Sequence, residues 1–240
     1  MKTVAFVPIK LRSVRLPDKN ILPLAGKPLC WHMINTLLQV DEIDEVYVYC
    51  SDDIIIQYIP DKAVFLERLE SLDGDFVKGD EIYRSFINRI NADIYILAHA
   101  TSPFTKAISV KNALKKVLSG ENDSAFAAKK IQTFAWYDGI PVNYTLENVP
   151  RTQDLKPIFV ENSAFYIFRK EIFTKHNRRI GFTPYIQTVN EIEGMDTSET
   201  GAKPSEPLRR YKNTLCRPAG RDSGHYKGLL KPAVILKEYA

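Results

Sequence analysis

Short apolar runs alternate with longer amphipathic stretches through the first two hundred residues, and this rhythm constrains the fold more than any other feature. Thr3-Val4-Ala5-Phe6-Val7 is an apolar run closed by Pro8, and Glu45–Cys50, Asp93–Ala98 and Ser124–Ala128 repeat the pattern. Runs this short and this apolar suit strands buried on both faces. Between them, Lys27-Pro28 opens a helix with proline in its first turn, and Cys30, Met33, Ile34, Leu37 and Leu38 recur at helical spacing. Asp80 to Ile90 gathers Ile82, Phe86, Ile87 and Ile90 on one face, and Ser109 to Leu118 is another amphipathic segment. Strands and helices in strict alternation predict an α/β fold, a Rossmann-like and mostly parallel sheet flanked by helices.

The rhythm changes from about residue 130 to 190. Phe134 to Val142 carries Asp138-Gly139 between apolar flanks, which signals a hairpin, while Ser163–Phe168 and Tyr185–Ile192 read as strands. This stretch is expected to leave the main sheet as an antiparallel insertion. No Ser/Gly linker interrupts residues 1–200, so they are expected to form one domain. Residues 201–240 differ in kind, holding eight of the chain's 25 glycines and prolines and showing no apolar period before the last dozen. They read as an atypical, poorly ordered tail, either a partner-binding segment or the product of a shifted reading frame.

Charge narrows the partners. The net charge of +4 resides in the tail, where nine Lys or Arg face three acidic residues, leaving 24 basic and 26 acidic residues in positions 1–200. A body this close to neutral, without a nucleic-acid module signature, predicts no nucleic-acid partner. The apolar runs are too short for a membrane span and the N-terminal residues lack the pattern of a signal peptide, so a cytoplasmic protein without membrane contact is expected. Cys30, Cys50 and Cys216 are widely spaced with no CxxC pair, and reduced thiols are expected of them.

Open parallel sheets bind ligands beyond the carboxyl ends of their strands. The first such loop, Pro8 to Asn20, brings Lys10, Arg12, Arg15 and Lys19 within ten residues and contains no glycine. The lack of glycine excludes a Walker loop and a GxGxxG fingerprint. By charge alone the loop is either a receptor for a polyanion such as a triphosphate or a solvated basic turn.

The sequence Arg15-Leu16-Pro17-Asp18-Lys19-Asn20, followed by Pro23-Leu24-Ala25-Gly26-Lys27-Pro28-Leu29, resembles the opening motif of the acylneuraminate cytidylyltransferases, the CMP-sialic acid synthetase family. Further segments agree in order: Ser51-Asp52, Arg68, Thr101-Ser102-Pro103, Pro150-Arg151-Thr152-Gln153, Asn162-Ser163-Ala164-Phe165-Tyr166-Ile167 and Met195-Asp196. The resemblance runs from residue 3 to about 197. It implies transfer of CMP from CTP to an acidic, sialic-type sugar with release of pyrophosphate, in a homodimer built through the insertion. It implies Lys10, Arg12 and Lys19 as the phosphate-binding catalytic groups, and Ile9, Asn20, Arg68, His99 and Ser102 as further nucleotide contacts. Arg151, Gln153 and Asn162 would read the sugar, with Lys129 and Lys130 assisting. Asp196, with Asp52 as a weaker second, would hold Mg²⁺. An Asp after a strand is otherwise a helix cap. The chain departs from the family pattern at Lys10, where arginine is usual, at His99-Ala100 in place of Gln-Pro, and at Ser198 in place of a second aspartate. No closing helix is evident from Gly201 onward.

Overall fold

The computed structural model of the protein describes residues 1–12 and 17–197. Arg15, Ser198, Cys216 and the tail lie outside the described residues. Eleven strands and four α-helices follow in order: β1 Thr3–Ile9, β2 Pro23–Leu24, β3 Lys27–Pro28, α1 Leu29–Leu38, β4 Glu45–Cys50, β5 Val64–Glu67, α2 Gly79–Arg89, β6 Ile94–Ala98, α3 Ala107–Leu118, β7 Ser124–Ile131, β8 Trp136–Tyr137, β9 Ile140–Pro141, β10 Ile158–Arg169, α4 Lys170–His176 and β11 Pro184–Val189. Seven strands form one sheet in the order β11-β7-β10-β6-β1-β4-β5. The pairs β1–β4, β1–β6, β4–β5 and β7–β11 are parallel, and β10 runs antiparallel to both β6 and β7.

Side-chain alternation along the strands explains the two layers. Ala5, Val7, Val46, Val48, Ile94 and Ile96 face one way into an aliphatic core closed by Met33, Ile34 and Leu37 of α1 and by Val110, Leu114 and Val117 of α3. The intervening Phe6, Tyr47, Tyr49, Tyr95, Tyr166 and Phe168 face the other way, against Tyr83 and Phe86 of α2 and Ile172 and Phe173 of α4. Phe6 and Phe86 stack with centroids 4.2 Å apart. A period of two thus sorts small aliphatics to one face and rings to the other, and each face takes the helices whose apolar stripe matches it.

Pro8 does not end β1 as its sequence position suggests. The ladder to β6 stops at Phe6, whereas the ladder to β4 continues to Ile9. From Val7 onward β1 is an edge on one side, where a strand tolerates proline. The expected insertion also needs correction. Ser163–Phe168 lies inside β10 and Tyr185–Val189 inside β11, and both strands belong to the main sheet. What leaves the sheet is the shorter segment between β7 and β10. Its β8–β9 hairpin turns on Asp138 (φ 48°) and Gly139 (φ 76°), both left-handed as a type I′ turn requires. Asn143 holds its base through Ala135 N–H, Thr133 O and Lys156 O.

Cys30 and Cys50 are free and buried. Among the described residues no helix is long and apolar enough to cross a membrane.

Candidate functional site

Strand order fixes where a ligand crevice must lie. From β1 the chain crosses to β4 and then β5, and returns to β6 on the other side of β1. The loops after β1 and β6 therefore diverge, and open α/β sheets bind ligands at such a switch point. Lys10, Ser51 and His99 directly follow β1, β4 and β6 and so share one rim.

The loop after β1 is closed on itself. Asp18, left-handed at φ 56°, donates its backbone N–H to Leu11 O at 2.9 Å. Asn20 is 8% exposed and donates Nδ2–H to Lys10 O at 3.0 Å, clamping the start of the loop to its end. Lys19 opens the short 3-10 turn Lys19–Ile21 beside it. The cations already have counter-ions: Lys10 Nζ stands 2.9 Å from Asp75, and Arg12 stands 3.7 Å from Glu70.

Arg68, expected at the nucleotide, is turned inward. Its side chain is 2% exposed and donates to Ile9 O at 2.9 Å, Tyr49 O at 3.2 Å and Asp73 at 2.5 Å. Ser51 also donates to Asp73. Arg68 thus ties the ends of β1 and β4 together, and the Ile9 carbonyl, on a fully buried residue, faces Arg68. It is a positioning residue because its donors face backbone and Asp73 instead of open solvent.

Asp52 takes the helix-cap role. Its Oδ1 accepts Ile54 N–H at 3.1 Å at the head of the turn Asp53–Tyr58. With Asp53, Glu67, Glu70, Asp73, Leu11, Arg12, Ser51 and Phe65 it lines a cleft of about 470 Å³ over the ends of β4 and β5. That cleft is acidic and repels phosphate, while it suits uncharged hydrogen-bond donors.

The β6 side is assembled around a break in β10. The register of β10 shifts between Glu161 and Tyr166, and Ser163 within the break is left-handed at φ 58°. The Ser163 carbonyl accepts a hydrogen bond from His99 Nδ1 at 2.5 Å. A carbonyl only accepts, so Nδ1 carries the proton and Nε2 keeps a lone pair. Burial pushes His99 below the usual histidine range, the Ser163 carbonyl pulls it back up, and the charges of Arg179 and Asp196 act in opposite directions. Tyr166, whose phenol burial pushes up to about 12, donates its O–H to Glu161 at 2.8 Å. Asn162 is 5% exposed and accepts Ala164 N–H at 3.2 Å.

Asp196 is carried to the same rim by its neighbours. Thr197 N–H donates to Thr101 O at 2.9 Å, and the buried Glu193 carboxylate accepts Lys106 N–H at 3.1 Å at the head of α3. Gly194 has no side chain where Lys129 passes, since a Cβ there would stand 2.7 Å from Lys129 Cε. By contrast, Arg151 and Gln153 stand out on the segment between β7 and β10, where Arg151 pairs with Asp154 at 2.7 Å.

Six buried side-chain polar atoms among the described residues lack a hydrogen-bond partner: Asn20 Oδ1, Arg68 Nε, Ser102 Oγ, Asn162 Nδ2, Glu42 Oε2 and Gln187 Oε1. Buried polar atoms are normally satisfied, so orphans mark a place where water or a ligand belongs. The first four are on residues singled out from the sequence, at the ends of the loops just described. Sequence reasoning missed Asp73, Asp75, Arg179 and the Tyr166–Glu161 pair. Arg179 is hidden by its setting in the charged run Lys175–Arg179, where nothing in the sequence says which cation turns inward.

A family model described as Cytidylyltransferase matches residues 4–215, beyond the point near 197 where the motif resemblance ends. The chain is 24% identical over 189 residues to the N-acylneuraminate cytidylyltransferase of Streptococcus agalactiae serotype III, over 73% of this chain and 45% of that protein. It is 27% identical over 181 residues to the pseudaminic acid cytidylyltransferase of Campylobacter jejuni subsp. jejuni serotype O:2, over 69% of this chain and 78% of that protein. The chain therefore spans about half the length of the first of these relatives. Among solved structures, CMP:2-keto-3-deoxy-manno-octonic acid synthetase complexed with CTP has a TM-score of 0.63 at 18% identity, covering 89% of this chain and 99% of that one. At that identity the likeness is one of fold.

Proposed function

Because the chain belongs to the cytidylyltransferase family, we propose that it transfers CMP from CTP to the anomeric hydroxyl of a 2-keto acidic sugar. The acceptor oxygen bonds to the α-phosphorus, the α–β phosphoanhydride bond breaks, pyrophosphate leaves, and the hydroxyl proton passes to solvent. Such a displacement asks the protein for positioning and charge neutralisation instead of a covalent intermediate.

The observation that carries this reading is that buried polar atoms of Asn20 and Ser102, on the loops after β1 and β6, and of Asn162, at the break in β10, are left without a partner. Lys10 and Lys19 would neutralise the triphosphate over the crevice between β1 and β6, with Arg12 reaching it from the edge of the acidic cleft, displacing Asp75 and Glu70. The carboxylate-lined cleft beside them suits the cytosine amine and ribose hydroxyls. Mg²⁺ holds one or two carboxylates and takes its other ligands from phosphates. Asp196 would be such a carboxylate, at the rim where its neighbour Thr197 is tied to Thr101, whereas Asp52 has an oxygen committed to its cap. When bound, the ion would neutralise phosphate charge.

A homodimer is part of the reading. Trp136, Tyr137, Ile140, Val142, Leu146, Val149, Phe159 and Val160 are all exposed on and beside the segment between β7 and β10. Large apolar side chains exposed together on one segment support an interaction site there.

The test is pyrophosphate release with CTP, Mg²⁺ and a panel of N-acetylneuraminate, pseudaminate and 3-deoxy-manno-octulosonate. Turnover of at least one sugar is expected. Ser198, where the family pattern has a second aspartate, favours one alternative: a nucleotide-binding relative without turnover. CTP binding with no pyrophosphate release for any acid would select it.

A further inference from the structure

The acidic acceptor needs a cation for its carboxylate, and two arginines compete for that role. Arg151 is 74% exposed in its side chain and paired with the adjacent Asp154 on the segment outside the sheet. Arg179, on the connection between α4 and β11, is held at the rim. Its guanidinium carbon lies 4.0 Å from the centroid of the buried Tyr166 ring. The same Tyr166 donates its O–H to Glu161, across the break in β10 whose Ser163 carbonyl holds His99. The Tyr166 ring beneath Arg179 stands edge-on to His99 with centroids 6.3 Å apart, so the cation lies near the loop that follows β6.

A cation over a ring face has its position set by the ring, and its N–H donors remain to meet an anion. The facing carboxylate, Glu161, is 3.9 Å away, beyond hydrogen-bond distance. The guanidinium therefore has a preset position and an anion nearby that does not engage it in the two-bond manner an arginine offers a carboxylate.

We infer that Arg179 determines acceptor specificity by taking the carboxylate of the acidic sugar on the guanidinium held over Tyr166. This rests on the proposed cytidylyl transfer. Glu161 then serves as the resident counter-ion, kept off the fork by the Tyr166 hydroxyl and replaced by the acceptor. Lys129, on the far side of Gly194, lies along the segment leading to Asp196 and is the other cation near the acceptor path.

The experiment measures initial rates of pyrophosphate release for wild type, Arg179→Met and Arg179→Lys, with CTP, Mg²⁺, the acid turned over by wild type, and its methyl ester. Hydrogen bonds to a charged group are worth about 10- to 150-fold in affinity. In Arg179→Met, KM for the acid is expected to rise by about that factor, while KM for CTP changes by less than about twofold. Wild type prefers acid to ester, and Arg179→Met treats them alike. Arg179→Lys keeps the charge without the fork and falls between. Unchanged KM for the acid in Arg179→Met overturns the inference, and so does an equal loss with acid and ester, which is the mark of a merely structural contact. Should Arg179→Met fail to fold, Arg179→Lys decides by the same acid-to-ester ratio. If wild type turns over no acid at all, the cytidylyl reading itself fails, an outcome distinct from either.

Discussion

Replacing Arg68 with methionine separates a positioning role from a nucleotide contact. The side chain is 2% exposed and gives three hydrogen bonds, to the carbonyls of Ile9 and Tyr49 and to Asp73. Breaking a buried ion pair by removing one partner costs about 3–5 kcal/mol, because the remaining charge is left uncompensated. Asp73 is 18% exposed and receives the Ser51 hydroxyl, which lowers that figure, while two carbonyls losing a donor raise it again. We expect a net loss of about 4 kcal/mol, measured by urea unfolding at unchanged slope. For a domain of this size that corresponds to a fall in Tm of about 8–16 °C. Arg68→Met combined with Asp73→Leu should recover part of the loss, since a well-packed apolar pair often substitutes for a buried ion pair. A variant within about 1 kcal/mol of wild type that no longer binds CTP would refute the reasoning, because it would place the guanidinium on the nucleotide.

Three further outcomes follow from the geometry. Asp75→Asn removes the resident partner of Lys10, a half-exposed pair worth under about 1 kcal/mol to stability. CTP should then bind about two- to fivefold tighter at low salt, with the gain vanishing near 1 M salt, where the Debye length is about 3 Å. Weaker binding in calorimetry would contradict it. Ser163 is left-handed at φ 58°, so Ser163→Gly should stay within about 1 kcal/mol of wild type, whereas Ser163→Val should cost about 2 kcal/mol more than the glycine variant in chemical unfolding. Asp123 is partly buried, which alone would raise its pKa, yet the N–H groups of Phe182 and Thr183 and the Ser124 hydroxyl hold it below the usual carboxylate range. A carboxyl depressed in the folded state stabilises above its unfolded pKa and loses that contribution as pH falls through the folded one. The stability gap between wild type and Asp123→Asn should therefore be widest near neutrality and close below about pH 4, and a gap that stays constant down to pH 2 would exclude the effect.

How far the fold is legible depends on how each element is buried. Strands β1, β4 and β6 lie at or near the middle of the sheet, so both faces are apolar and the run stands out without any alternation. β5 is a four-residue edge strand and none of its residues is fully buried, so nothing marks it. α4 is seven residues and buries only Ile172 and Phe173 among charged neighbours, too short for a periodic signal. Sequence alone makes the insertion too wide because β10 and β11 resemble any half-buried strand locally. Only pairing, which sequence does not display, says that they rejoin the main sheet. In the site, the basic loop is legible because its four cations fall within ten residues of sequence. Arg68 and Arg179 are not, because composition gives a cation but not its direction. One turns inward to two carbonyls and the other lies on a tyrosine ring contributed by a strand thirteen residues earlier.

The account depends most on the loop after β1 receiving the triphosphate of CTP. Calorimetric titration of CTP with Mg²⁺ into wild type and into the Lys19→Ala/Asn20→Ala variant tests it directly. The variant loses one cation and the clamp on Lys10, so CTP affinity should fall by at least about 30-fold, corresponding to about 2 kcal/mol. An undiminished heat and affinity in a folded variant would contradict it.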